Sequence, residues 1–158
     1  MNQVVVKQEK SGYQIVEAYK SLRTNLQFCG EDKKVIAITS CTPNEGKSSV
    51  SMQLGISLAE IGKRVILIDA DLRKSVLLGR TKTEKSVRGL AHFLSGQASL
   101  EDVICATNIK NFYMIYSGPF PPNPAELLGG KNFRSLLNAL RKVYDYVIVD
   151  TPPLGSVI

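Results

Sequence analysis

Ile36-Ala37-Ile38-Thr39-Ser40-Cys41-Thr42-Pro43-Asn44-Glu45-Gly46-Lys47-Ser48-Ser49 is the stretch from which the rest of this chain can be read. An apolar, β-branched run enters a Pro/Gly turn, and a helix-patterned segment leaves it with Gly-Lys-Ser at its mouth. This is the layout of a phosphate-binding loop, in which successive backbone N–H groups and the positive end of the following helix converge on phosphate oxygens. Lys47 can then reach the β/γ-phosphates, and Ser48 can place its hydroxyl on Mg²⁺. The usual motif opens with Gly five residues before Gly46, where this chain has Cys41. What strengthens the reading is the context. A strand precedes the loop, and Val50, Leu54, Leu58 and Ile61 recur afterwards at helical steps before Gly62 stops the helix. Binding of a nucleoside triphosphate is the expectation.

The 158 residues suit one domain with a real apolar core, and the formal charge of +6 is a modest basic excess. The lysines and arginines are scattered along the sequence without a dense tract, which reads as a solvated surface rather than a site for nucleic acid or an anionic leaflet. No apolar run approaches membrane-spanning length and no signal-peptide layout is present, so a cytosolic chain is expected. Cys29, Cys41 and Cys105 show neither metal-ligand nor paired spacing, as in a reducing compartment. Cys41 reads as a small residue filling a tight turn, and His92, in an apolar stretch with no acid beside it, as packing.

Strand and helix patterns alternate. Residues 13–29 read as an amphipathic helix with Ile15, Tyr19, Leu22 and Leu26 on one face and Gly30 as its stop. Residues 35–39 read as a buried strand, and 64–68, 112–116 and 146–149 as further strands. A short helix is expected around Val87, Leu90, Ala91 and Leu94, with a capped helix start at Ser99. Asn123 is expected as N-cap before Pro124, and Phe133, Leu136, Leu137 and Leu140 stripe another helix. Continuous apolar strands separated by helices predict a parallel sheet covered on both faces. Two of these strands end in acids, at Asp69 with Asp71 close behind, and at Asp150. Ligands of open parallel sheets bind beyond the carboxyl ends of the strands. Carboxylates there suit Mg²⁺ near a triphosphate, and an additional one can accept a proton from an attacking hydroxyl.

These residues resemble the bacterial tyrosine kinases that regulate capsular and extracellular polysaccharide synthesis. Residues 42–48 are similar to that family's Walker A motif, Ile66-Leu67-Ile68-Asp69-Ala70-Asp71-Leu72-Arg73 to its Walker A′ motif, and residues 144–153 to its Walker B strand. The segment 118–128 also resembles a family segment. The resemblance implies an α/β fold with a doubly wound, mostly parallel sheet of the P-loop NTPase type, an ATP-dependent protein-tyrosine kinase activity directed at itself and other proteins, and ATP with Mg²⁺ as cofactors. It implies that Pro43, Asn44, Glu45, Gly46, Lys47, Ser48 and Ser49 hold the nucleotide. Ser48, Asp71 and Asp150 would serve the metal, and Lys47, Asp69, Asp71, Arg73 and Asp150 the chemistry. Asp69 becomes the candidate base, although the residues themselves leave Asp69 and Asp71 interchangeable.

Glu17, Lys20 and Arg23 resemble the family's Glu-x-x-Arg-x-x-Arg oligomerisation motif, with Lys20 where Arg is expected. At about 100° per residue they fall on a flank distinct from the apolar stripe, free to meet another subunit. Family members continue beyond the third carboxylate with further strand–helix units and a terminal tyrosine cluster. Residues 1–158 are therefore expected to be the N-terminal part of a kinase domain, with an incomplete sheet and an open edge at residues 35–39. The resemblance also implies a separate membrane activator of the polysaccharide co-polymerase type, which would hold the chain at the inner face of the membrane. No nucleic-acid partner is expected. A partition- or positioning-type ATPase is the alternative, since it shares the loop. That group carries an extra lysine near the loop's start, where this chain has Thr42. A non-catalytic nucleotide-binding fragment is a third reading.

Overall fold

The computed structural model describes residues 1–8, 12–40, 46–72, 77, 81–83 and 87–152. A seven-stranded sheet runs through them in the order β2-β7-β3-β6-β5-β1-β4. Its strands are β1 (Asn2–Val6), β2 (Val35–Ile38), β3 (Val65–Asp69), β4 (Thr81–Thr83), β5 (Cys105–Thr107), β6 (Phe112–Ile115) and β7 (Tyr146–Asp150). β2, β7, β3 and β6 pair in parallel, as the apolar runs predict. The other half is mixed: β5 is antiparallel to β6 and parallel to β1, while β4 is antiparallel to β1. Reading the sequence for long apolar runs misses β1, β4 and β5. β4 and β5 are three residues long, and β1 buries only alternate residues, so none presents a continuous run.

The helices are α1 (Tyr13–Phe28), α2 (Lys47–Glu60), α3 (Leu90–Leu94), α4 (Leu100–Val103), α5 (Pro124–Leu128) and α6 (Lys131–Leu140). Strand periodicity of two sorts the core into two layers. Val65 and Leu67 of β3 join Leu54 and Leu58 of α2, Phe112, Met114 and Ile148 on one face. Ile66 and Ile68 join Leu90 and Leu94 of α3, Leu136 and Leu140 of α6, Val147 and Val149 on the other. α2 lies so close to the sheet that a Cβ on Gly55 would stand 2.5 Å from the Phe112 ring, so this position takes no larger residue without displacing that ring.

Local expectations meet the structure unevenly. Ser99 Oγ accepts the Asp102 N–H at 3.3 Å while Asp102 Oδ2 accepts the Ser99 N–H at 3.1 Å, the reciprocal cap that starts α4. Asn123 is the N-cap of α5, with Pro124 at the first position, but its amide donates to Glu126 rather than capping. His92 does more than pack: its Nδ1 accepts the Gly89 N–H at 3.0 Å and closes the first turn of α3. β2 is not a buried strand. Among the described strands it pairs only with β7, and its residues alternate between exposed and half-buried.

The largest departure concerns α1. None of its residues is fully buried, and Ile15 and Leu22, expected to face inward, are 52% and 37% exposed. Glu17, Tyr19, Arg23 and Leu26 are the half-buried positions, with Leu26 packed against the core and Val16 and Tyr19 lining a small crevice with α2. The inward stripe is thus rotated relative to the one read from hydrophobicity. An arginine occupies its centre, with a long apolar stem that covers the helix–helix contact while its head reaches polar atoms.

Candidate functional site

Gly46 has φ +79°, a left-handed turn that glycine adopts without a side-chain clash, and it turns the chain into α2 with Lys47 and Ser48 as the first helical residues. The N-cap residue, Gly46, supplies no side-chain cap, and the helix start carries the leading N–H groups and positive pole of α2. β7 delivers Asp150 to the same place. One oxygen of its carboxylate, Oδ1, accepts from Lys47 Nζ at 2.6 Å and from Ser51 Oγ at 3.0 Å, while Oδ2 accepts from Ser48 Oγ at 2.9 Å. The Asp150 and Lys47 side chains are 1% and 7% exposed. A buried ion pair is stable only when its remaining lone pairs are satisfied, and the serine hydroxyls do this.

β3 lies beside β7 in parallel register, so Asp69 stands directly opposite Asp150. Both strands place these residues on the α2 face, because Asp69 continues the Val65, Leu67 alternation and Asp150 continues Tyr146, Ile148. The Ala70 N–H donates to the Asp150 carbonyl at 2.9 Å, and the Asp71 N–H donates to Asp69 Oδ1 at 3.1 Å. Asp69 is fully buried and Asp71 nearly so. Lys47, Ser48, Asp69, Asp71 and Asp150 therefore gather at the carboxyl ends of two adjacent strands and the start of one helix. Ser49 is half-buried in the first turn of the same helix. Pro43, Asn44, Glu45 and Arg73 lie outside the described residues, as does Cys41.

Ser51 went unnoticed in the sequence. A spacing signal was present, because Ser51 stands four residues after Lys47 and so shares its helix face, and a buried hydroxyl needs a polar partner. Arg23 corrects a second expectation. Its guanidinium donates to the Ser57 carbonyl at 3.0 Å and to Ser57 Oγ at 3.2 Å, and approaches Glu60 at 3.8 Å. Of the three motif residues, Glu17 and Lys20 pair with each other at 3.3 Å on the surface, whereas Arg23 is not free but bound to α2. Cys29 and Cys105 are unpaired, the latter buried, and desolvation lifts the Cys105 thiol to about 11. Among the described residues no helix is long and apolar enough to cross a membrane.

Comparison with known proteins places this geometry. Residues 33–158 match the AAA domain family. The tyrosine-protein kinase CpsD of Streptococcus agalactiae is 44% identical over 142 residues, covering 90% of this chain and 62% of that protein. The chain thus spans somewhat less than two thirds of the length of this relative. The solved VpsO kinase domain superposes with a TM-score of 0.80 at 34% identity, covering 90% of this chain and 70% of that one. The septum site-determining protein MinD of Pyrococcus horikoshii, solved as a complex with Mg-ADP, superposes less closely, with a TM-score of 0.63 at 28% identity over 76% of this chain. With its phosphate-loop helix, paired strand-end carboxylates and these relatives, the chain belongs to the bacterial tyrosine kinase family.

Proposed function

We propose that this chain binds ATP at the start of α2 and carries the phosphoryl-transfer site of a protein-tyrosine kinase acting in capsular or extracellular polysaccharide synthesis. The observation that carries the reading is the Asp150 carboxylate held by Lys47, Ser48 and Ser51 at the start of α2. Nucleotide phosphates suit that start, where N–H groups and the helix pole favour anions. Lys47 exchanges Asp150 Oδ1 for a phosphate oxygen as a mobile point charge, and the two serine hydroxyls keep the carboxylate in place.

The residues also fit Mg²⁺. The ion commonly takes one or two carboxylates together with substrate phosphates rather than an all-protein cage. Ser48 and Asp150 offer hard oxygens, Asp71 follows two positions after Asp69, the residue opposite Asp150, and no cluster of three acids, histidines or cysteines forms among the described residues. Ser48, Asp71 and Asp150 would hold the ion, which when bound neutralises charge on the β- and γ-phosphoryl oxygens. A tyrosine oxygen bonds to the γ-phosphorus as the bond to the β,γ-bridging oxygen breaks, and Asp69 or Asp71 accepts the phenolic proton. Arg73 belongs to the same catalytic set. Residues 1–158 form the N-terminal part of the kinase domain, and α1 presents Glu17 and Lys20 toward another copy. A membrane activator of the polysaccharide co-polymerase type recruits the chain to the membrane.

Titration of Mg-ATP against wild type and Lys47→Met tests the site: weakening of tenfold or more is expected, and equal affinities would remove the assignment. The chemistry is tested on the natural-length protein with its membrane activator, where labelled phosphate should appear on tyrosine. ATP hydrolysis without phosphotyrosine would favour the positioning-ATPase reading instead, the reading to which the likeness to MinD points.

A further inference from the structure

α6 carries a charge pattern that the linear sequence hides. Between Lys131 and Lys142 there is no acidic residue. At about 100° per residue, Lys131, Arg134, Asn138, Arg141 and Lys142 fall within one arc of roughly 100° along the helix and its C-cap. All five are exposed, while Leu136 and Leu140 on the opposite side are buried in the core. Lys34, at the foot of β2, extends the stripe by donating to the Arg141 carbonyl at 3.3 Å. Lys34, Asn138, Arg141 and Lys142 line one open groove, whose single acid is Asp32, and Asp32 is paired with Lys33 at 3.6 Å. The four cations of α6 and its C-cap form no ion pair among the described residues.

Helix stability does not account for this arrangement. Cations in the last turn complement the helix dipole, which covers Arg141 and Lys142. Lys131 and Arg134 occupy the first turn, where positive charge opposes the dipole and where α6 has no acid to offset it. Two cations thus sit where the fold is better served by acids, on the same outward face as two that it favours.

We infer that the outer face of α6, with Lys34, docks directly on an anionic phospholipid surface. This goes beyond the phosphoryl-transfer reading and does not depend on it. Three observations favour a leaflet over nucleic acid. The stripe is linear and about 16 Å long, by 1.5 Å per residue. Phe133, the aromatic residue of α6, packs against the core instead of standing among the cations, so no stacking platform is offered to bases. The apolar face of the helix is committed to the fold, so α6 adsorbs by charge without inserting, as juxtamembrane basic segments do on anionic leaflets.

Sedimentation of the chain with phosphatidylcholine vesicles containing phosphatidylglycerol, in the absence of any membrane protein, tests this. Binding is expected at low salt, falling as salt rises and absent on pure phosphatidylcholine. The triple variant Arg134→Gln, Arg141→Gln, Lys142→Gln should bind about a hundredfold more weakly, at about fivefold per cation, whereas Lys63→Gln with Lys110→Gln should change little. Arg134→Gln alone removes a cation the helix dipole disfavours, keeps the fold, and should still cost about fivefold. Unchanged vesicle binding by the folded Arg134→Gln or triple variant would overturn the proposal. So would equal binding to pure phosphatidylcholine, or tighter stripe-dependent binding to an oligonucleotide than to vesicles.

Discussion

Asp150 accepts from three side chains, and its loss has a calculable consequence. Asp150→Ala leaves the Lys47 ammonium buried without its partner and the Ser48 hydroxyl without its acceptor, while the Ser51 hydroxyl keeps the Lys47 carbonyl. Breaking one side of a buried pair costs about 3–5 kcal/mol, a large share of the stability of a small domain, so the urea midpoint should fall sharply. Ser51→Ala removes one bond to a charged group and should cost about 1.5–3 kcal/mol, leaving Lys47 paired. A second residue-scale effect is alkaline. Burial raises Cys105 from 9.0 to about 11 and Tyr116 from 10.0 to about 12, although the Tyr116 hydroxyl is hydrogen-bonded to Thr81. For groups raised in this way the folded state holds its protons longer than the unfolded chain. Their stabilisation is complete below the unfolded values and is lost as pH climbs through the folded ones. Urea midpoints measured at pH 8 and pH 10.5 should therefore decline, and Cys105→Ala should flatten the decline; a midpoint that holds steady would contradict the burial of these groups.

At the scale of elements, α1 is the informative case. Arg23→Ala removes the contacts with Ser57 and Glu60 that fasten α1 to the C-terminal half of α2. Hydrogen exchange in α1 should then quicken at protein concentrations where no oligomer forms. Glu17→Ala, which loses only a surface pair, should leave it unchanged. If both substitutions act only when subunits associate, α1 is held by a neighbour rather than by its own chain. The same helix marks what could be read without coordinates. The four parallel strands, α2 and the strand-end acids were legible, because continuous apolar runs and a Gly-Lys-Ser turn are strong local signals. Which face of α1 turns inward was not, because Arg23 packs by its stem, and hydrophobicity counts it as polar. Ser51 was missed because its role depends on Asp150, which lies 99 positions away. The stripe on α6 went unread because linear spacing scatters cations that the helical repeat gathers.

The whole molecule has an unequal perimeter. β4 closes one side of the sheet, and β2 stands at the other with β7 as its one partner among the described strands. Val35, 39% exposed there, accompanies a row of backbone groups open to pairing. Such an edge templates association, so this chain expressed alone should sediment as more than a monomer, and Val35→Lys, a charge of the kind natural edges use, should shift it toward monomer. A monomeric wild type would show that the edge is already protected. The position of β7 also has a meaning in time. It is the last of the described strands in sequence, yet it is inserted between two of the earliest parallel ones, β2 and β3. A ribosome that has delivered residues 1–140 has made α2 with Lys47 and Ser51 in it, but not the Asp150 carboxylate that receives them, and β2 lacks β7, the strand it pairs with. The nascent chain waits through more than 100 residues of synthesis with a cationic helix start and an unpaired strand, then acquires sheet continuity and the Lys47–Asp150 pair, 103 positions apart, in one docking event.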